Sequence, residues 1–102
     1  MGAFSLTDSS LLPLSVMGAR FRFARRLTGL TQEEVARSAK VALRTYQDWE
    51  RGIARPSAGS AIRRVAEVLR TSVGWLLEGY GKGPDGYEHA TRDEGFDSWA
   101  NH

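Results

Sequence analysis

The stretch that decides the fold is TQEEVARSAKVALRTYQDWERG, residues 31–52. It opens with a capping box, since the Thr31 hydroxyl can accept from the third helical amide while Glu34 reaches back to the Thr31 amide. Apolar residues at helical spacing then supply the inner face of a helix of about nine residues. These residues are Val35, Ala36 and Ala39. The pattern predicts a short helix that ends in a tight turn at residues 40–41.

A second helix is predicted over residues 42–51, with Gly52 ending it. Tyr46, Trp49 and Ile53 are spaced by three and four residues, as on the buried side of a helix. The opposite side carries a polar stripe, formed by Arg44, Gln47, Asp48 and Arg51. Two short helices joined by a three- to four-residue turn form a helix-turn-helix, whose second helix fits the major groove of B-DNA.

The stripe contains side chains that read base edges. Arg44 can donate twice to guanine O6 and N7, and Gln47 can pair with adenine N6 and N7. Asp48 can accept from cytosine N4 or instead orient Arg44, and Leu43 can touch a thymine methyl group. The same residues also suit an ordinary helix face in water, so the stripe alone does not establish DNA binding.

The sequence on both sides of this pair of helices predicts three more helices. It lacks the alternation of apolar and polar residues that is typical of strands. Residues 16–27 have one apolar face, formed by Met17, Phe21 and Ala24. Residues 58–70 are predicted to form another amphipathic helix, whose polar face lies in water. That polar face consists of Arg63, Arg64, Glu67 and Arg70. Ser72 caps a short fifth helix that ends near Gly79.

Charge divides the chain unevenly. Residues 17–79 hold twelve lysines and arginines against six acids, a net of +6, whereas residues 80–102 have a net of −3. A basic compact segment suggests a polyanionic partner, although a solvent-exposed arginine-rich surface explains the charge equally well. No apolar run approaches the ~18 residues of a membrane span.

Residues that carry catalysis or bind metals are scarce. The absence of cysteine excludes disulfides, thiolate catalysis and thiolate metal sites. The two histidines, His89 and His102, lie in a polar terminal segment and are too few for a zinc site. The sequence contains no Ser/His/Asp arrangement and no phosphate-binding loop. We therefore expect no enzymatic activity, no cofactor and no metal.

The chain resembles the phage repressor and Cro type of helix-turn-helix domain, often called the Xre family. Three segments carry the resemblance: MGARFRFARRLTGLTQEEVARSA, VALRTYQDWERGIARPS and SVGWLLEG. It implies an all-α, five-helix lambda-repressor-like DNA-binding domain at residues 16–80. A flexible N-terminal arm at residues 1–15 and an acidic, glycine-containing C-terminal tail at residues 81–102 complete the expected organisation. The family also implies symmetric dimers on palindromic sites, with the 42–51 helix in the major groove.

The resemblance also implies roles for individual side chains. Base contacts are implied for Leu43, Arg44, Gln47 and Asp48. Contacts to backbone phosphate are implied for Gln32, Thr45, Arg51 and Arg55. A partly buried salt bridge that ties the first helix to the recognition helix is implied for Arg25 and Glu50.

Three departures from the family pattern fall near the turn. Lys40 replaces a common glycine whose geometry is left-handed, which costs on the order of 1 kcal/mol. Ala42 begins the recognition helix without a capping side chain. Tyr46 replaces a smaller aliphatic residue, so we expect some tilt of that helix.

Phe23 and Leu27 form a second apolar ridge on the first helix, and we expect other residues to pack over it. Leucines of the arm, Leu11, Leu12 and Leu14, could supply it, or a partner subunit could. We favour the arm.

Together these features predict a sequence-specific, DNA-binding transcriptional regulator of phage or bacterial origin. We expect a cytoplasmic, nucleoid-associated repressor that binds a palindromic operator as a homodimer. One alternative is an antitoxin that also represses its own operon, with Phe96 and Trp99 of the tail docking on the toxin. Another is a protein-binding adaptor that uses the same fold, with the acidic tail competing for the basic face.

Overall fold

The computed structural model describes residues 12–87, with side chains from residue 15 onward. Over that range the chain is all-helical and contains no strand, which confirms the predicted fold class. The five helices are α1 (Leu12–Thr28), α2 (Gln32–Ala39), α3 (Leu43–Arg51), α4 (Ser60–Val68) and α5 (Val73–Glu78). None of these helices is both long and apolar enough to cross a membrane.

The helices surround one core. Helix α1 packs against α3 and α5, while α2 packs against α3 and α4, and α4 meets α5. Rings from two helices interlock at the centre, where the Phe21 centroid lies 6.2 Å from Tyr46 and 5.9 Å from Trp49. The largest fully buried apolar side chains are Met17, Phe21, Val35, Tyr46, Ile62, Val65, Leu69 and Leu76.

The α2 start and the turn that follows it match the sequence prediction. The Thr31 hydroxyl accepts from the Glu34 amide at 3.1 Å, and the Glu34 carboxylate accepts from the Thr31 amide at 2.8 Å. Lys40 ends α2 in the left-handed conformation, with φ of 59°. Ala42 occupies the N-cap of α3 without a capping side-chain hydrogen bond.

Close approach of α1 to the end of α3 depends on a glycine. A Cβ atom built on Gly18 would overlap the carbonyl oxygen of Glu50 and lie 3.1 Å from the Gly52 amide nitrogen. Any larger residue would force the two helices apart, because the obstructing atoms belong to the backbone. Arg22 reinforces the contact by donating from Nη1 to the same carbonyl oxygen at 2.5 Å.

Helix α1 differs from its prediction in the residue at which it begins and in the residues that pack over Phe23. It begins at Leu12, four residues before the expected start, so residues 12–15 are helical rather than part of an arm. At 1.5 Å per residue, Leu12 and Leu14 lie more than ~13 Å along the same helix from Phe23 and cannot fold back over it. Leu11 lies outside the described residues.

Phe23 is instead covered by the C-terminal side of the domain. Its ring centroid lies 6.3 Å from that of Trp75 and 6.2 Å from that of Tyr87. Leu27 stays 40% exposed. The expectation that the arm covers both residues is therefore wrong for Phe23.

Residues 81–86 contact the folded domain, although the sequence predicts a tail from residue 81 onward. The Lys82 carbonyl oxygen accepts from the Ser72 amide at 3.0 Å, the Ser72 hydroxyl at 2.8 Å and the Thr71 hydroxyl at 3.0 Å. Pro84 is buried, and Tyr87 packs edge-on against Trp75 with centroids 5.4 Å apart. The chain therefore remains packed on the domain at least as far as Tyr87. The predicted features of the remaining tail, which are His89, Phe96, Trp99 and His102, lie outside the described residues.

Arg64 does not face water as predicted. Its Nε donates to the Ala39 carbonyl oxygen at 2.6 Å and its Nη2 to the Lys40 carbonyl oxygen at 3.3 Å. These are the carbonyls that the end of α2 leaves without helical partners. Arg64 therefore links α4 to the turn between α2 and α3.

Replacing Lys40 with glycine should stabilise the protein. Glycine adopts φ of 59° without the steric cost that a Cβ atom brings, so we expect Lys40→Gly to raise the free energy of unfolding by about 1 kcal/mol. Lys40→Ala is the matched control, because it removes the charge and keeps the Cβ atom. Urea denaturation measures both. Equal free energies of unfolding for the two variants would contradict the expectation that a Cβ atom at residue 40 is strained.

Tyr87 and Tyr80 provide a matched pair for the packing of the C-terminal segment. Tyr87→Ala should lower the free energy of unfolding by about 1–3 kcal/mol, because it uncovers Phe23 and Trp75. Tyr80 is 73% exposed, so Tyr80→Ala should change stability by less than about 0.5 kcal/mol. If thermal melts of the two variants coincide, residues 81–87 do not belong to the folded unit.

Candidate nucleic-acid interface

Helix α3 separates into a buried side and an exposed side. Tyr46, Trp49 and Glu50 point into the domain, because residues three and four apart share one face of a helix. The opposite side is accessible: the side chain of Arg44 is 80% exposed and that of Arg51 is 58% exposed. The helix thus presents a charged ridge while its aromatic residues anchor it from behind.

The buried side of α3 is organised around the carboxylate of Glu50, which is 1% exposed. Arg25 of α1 donates from Nε to Oε2 at 2.6 Å and from Nη2 to Oε1 at 3.1 Å. Gln32 of α2 donates to Oε1 at 2.9 Å, and the Tyr46 hydroxyl donates to Oε2 at 2.5 Å. One carboxylate therefore connects the first three helices.

These contacts shift the ionisation of all three titratable partners. Burial alone would raise the pKa of Glu50, but hydrogen bonds from Arg25, Tyr46 and Gln32 outweigh it and lower that pKa below its usual value. The hydrogen bond to Glu50 raises the pKa of Arg25. Burial, and then the Glu50 charge, raise the pKa of Tyr46. At neutral pH the cluster is a carboxylate, a guanidinium and a neutral phenol.

Sequence reasoning did not predict the roles of Tyr46 in this cluster and of Arg22 beside it. The resemblance named Arg25 and Glu50, whereas Tyr46 entered only as an oversized core residue. Its spacing of four residues before Glu50 was the available signal, since residues at that spacing are neighbours on a helix. Arg22, which donates to the Glu50 carbonyl oxygen at the C-terminal end of α3, had no signal in the sequence.

On the exposed side, Asp48 lies between two arginines. Its Oδ1 is 3.6 Å from Arg44 Nε and 4.0 Å from Arg51 Nη1. Exposed ion pairs of this kind contribute about 0–1 kcal/mol, so both guanidinium groups can exchange Asp48 for another acceptor.

The other residues implied for DNA contact differ in their surroundings. Thr45 is exposed on α3, whereas Leu43 packs partly against the core. Gln32 and Gln47 are hydrogen-bonded to each other, with 3.2 Å between Gln47 Nε2 and Gln32 Oε1. Arg55 lies beyond α3 and forms an ion pair with Glu78 of α5. The structure therefore leaves Arg44, Thr45 and Arg51 exposed on α3, and Arg55 beside α5.

A domain of this architecture, with an exposed polar helix held across a tight turn, is a helix-turn-helix DNA-binding domain. A helix-turn-helix family model matches residues 21–76, more than half of the chain. The chain belongs to this family, in its Xre or lambda-repressor-like form, whose members are DNA-binding transcriptional regulators. Comparison with curated proteins and with solved structures produced no significant match.

The pKa shift of Glu50 makes part of the stability dependent on pH. The folded protein holds the pKa of Glu50 below its ordinary value of about 4.3. The contribution of the ionised carboxylate to the free energy of unfolding is therefore complete above that pH, and it is lost as the pH falls through the lower pKa of the folded protein. Glu50→Gln should cost about 2–4 kcal/mol at pH 7, since it leaves the Arg25 charge under-paired. The difference from the wild type should shrink below pH 4.

Urea denaturation between pH 7 and pH 3 tests this expectation. Glu67→Gln is the control, because Glu67 is exposed on α4 and its replacement should change stability by less than about 0.5 kcal/mol. If the free energy of unfolding of Glu50→Gln stays a constant amount below that of the wild type from pH 7 to pH 3, Glu50 does not supply the pH-dependent part of the stability.

Proposed function

We propose that this regulator is a repressor that binds a palindromic operator as a homodimer. Each protomer places α3 in the major groove, and the bound dimer blocks access of RNA polymerase. The observation that carries the proposal is the exposed ridge of α3, supported from behind by the buried Glu50 cluster. A rigidly held helix can present the same side chains to successive base pairs, as sequence recognition requires.

Base reading is assigned to the side chains that α3 directs outward at its start and middle. Arg44 suits guanine, Gln47 suits adenine, and Asp48 either accepts from cytosine or orients Arg44. Leu43 is half-buried, so only part of its side chain is available to a thymine methyl group.

Anchoring to phosphates is assigned to residues around this ridge. Thr45 and Arg51 are exposed on α3, and Arg55 becomes available when its exposed pair with Glu78 opens, at a cost of about 1 kcal/mol or less. Gln32 is the first residue of α2, where backbone amides favour an anion. The protein would act in the cytoplasm, associated with the nucleoid.

Selection of bound sequences from a random DNA pool tests this function. We expect a palindrome whose half-sites lie about one helical turn apart. Arg44→Ala should relax the preference at one base position of each half-site, at a cost of about 1–3 kcal/mol per contact. Arg51→Ala should weaken binding to all sequences alike and reduce the salt slope by about one unit per protomer.

The two arginines control for each other, since both are exposed on α3 and carry the same charge. Equal, sequence-independent losses in both variants would contradict the division between base reading and anchoring. Recovery of no preferred sequence by the wild-type protein would contradict the function itself.

A further inference from the structure

Three charged side chains meet where α5 ends beside the loop that follows α3. Arg55 of that loop pairs with Glu78, the last residue of α5, with 2.5 Å between Nη2 and Oε2. Arg20 of α1 binds the same end of α5, because it donates to the carbonyl oxygens of Leu76 and Leu77. The Glu78 carboxylate therefore lies close enough to both guanidinium groups for its charge to act on them.

The two arginines differ in how firmly they are held. Arg20 is half-buried, and its acceptors are carbonyl oxygens that the end of α5 leaves without helical partners. Burial lowers the pKa of Arg20, the charge of Glu78 opposes this shift, and the charge of Arg55 adds to it. The Arg55 and Glu78 side chains are 43% and 53% exposed, so water reaches their ion pair. Arg20 thus stays with α5, whereas Arg55 can exchange Glu78 for another anion.

A DNA phosphate offers Arg55 the same kind of contact as the Glu78 carboxylate, since both present anionic oxygens to a guanidinium group. When Arg55 turns to a phosphate, it must leave Glu78 or bring that carboxylate beside the phosphate. The first course costs an ion pair, and the second places two anions next to each other, where they repel. Both courses weaken the contact between Arg55 and DNA.

We propose that Glu78 is an affinity-setting residue, which competes with DNA phosphate for Arg55 and so limits the affinity of the domain for the DNA backbone. Arg20 stays beside Glu78 when Arg55 leaves, so the carboxylate keeps one cation and the exchange is readily reversed. The competition does not depend on the base sequence, because Glu78 acts on an anchoring residue. This inference rests on the proposed DNA binding, in which Arg55 contacts a phosphate.

The competition has a signature in the dependence of binding on salt. A cation that neutralises a phosphate releases a condensed counterion, and each such contact contributes about −0.9 to the slope of log affinity against log salt concentration. In the wild-type protein Arg55 exchanges one anion for another, and the Glu78 charge that it leaves attracts a cation from solution. The two effects oppose each other, so Arg55 should add little to the slope while Glu78 is present.

Glu78→Gln tests the proposal, because it removes the charge and keeps the length of the side chain. Glu67→Gln is the matched control, since it makes the same change of charge at an exposed residue of α4 that forms no ion pair with another described residue. Arg55→Met and the double variant Arg55→Met/Glu78→Gln complete the set. Affinity is measured across a range of salt concentrations for two duplexes, the sequence that selection recovers most often and an unrelated one.

Glu78→Gln should raise the affinity for both duplexes by about two- to fivefold per protomer, as expected for the loss of one exposed ion pair. It should also steepen the salt slope by about one unit per protomer. Both effects should vanish when Arg55 is replaced by methionine, and Glu67→Gln should produce neither. Equal gains in Glu78→Gln and Glu67→Gln, or a gain that persists without Arg55, would overturn the competition.

The use of two duplexes separates this inference from the proposed function. A wild-type protein that binds both duplexes equally would overturn operator recognition, while a gain that requires Arg55 would still support the competition. A wild-type protein that prefers the selected duplex, with no gain in Glu78→Gln, would overturn the competition alone. If neither the wild type nor Glu78→Gln binds any duplex, both proposals are overturned.

Discussion

The buried carboxylate of Glu50 is the interaction on which the recognition helix depends. A charge this far from water is unfavourable unless partners replace its hydration, and here donors from α1, α2 and α3 do so. Since each donor comes from a different position in the sequence, the cluster forms only when the three helices reach one particular arrangement. Rotating or sliding α3 would leave a buried charge without its partners, so the position of the exposed ridge follows from chemistry on the opposite side of the same helix.

Many of the basic residues serve this arrangement rather than a polyanion. Arg20 donates to the last carbonyl oxygens of α5, with Nε 2.9 Å from Leu76 O and Nη2 2.8 Å from Leu77 O. Arg22 and Arg64 donate in the same way to carbonyl oxygens at the ends of α3 and α2. Arg25 is instead paired with the Glu50 carboxylate. The guanidinium group suits this use because its donors lie in a rigid fork. The positive charge of residues 17–79 therefore overstates the charge that is free to meet a polyanion.

Local signals in the sequence predicted most of the fold correctly. The capping box of Thr31 and Glu34, the Ser72 cap and the apolar periodicities each depend on residues a few positions apart, which the chain brings together as soon as a helix forms. The C-terminal boundary was less predictable. The sequence predicted a tail from residue 81 onward, yet Lys82 and Tyr87 bind the domain through partners that are distant in sequence.

The sequence by itself determined the helix-turn-helix pair, the five-helix order and the polar stripe, because these depend on helical spacing and on caps within one turn. Only the tertiary structure decided how that stripe is held: Tyr46 became a donor to Glu50, Arg64 a cap on α2, and Gln32 a link between the core and Gln47. A hydrogen bond forms between atoms about 3 Å apart, and spacing along a chain does not reveal which distant groups meet at that distance.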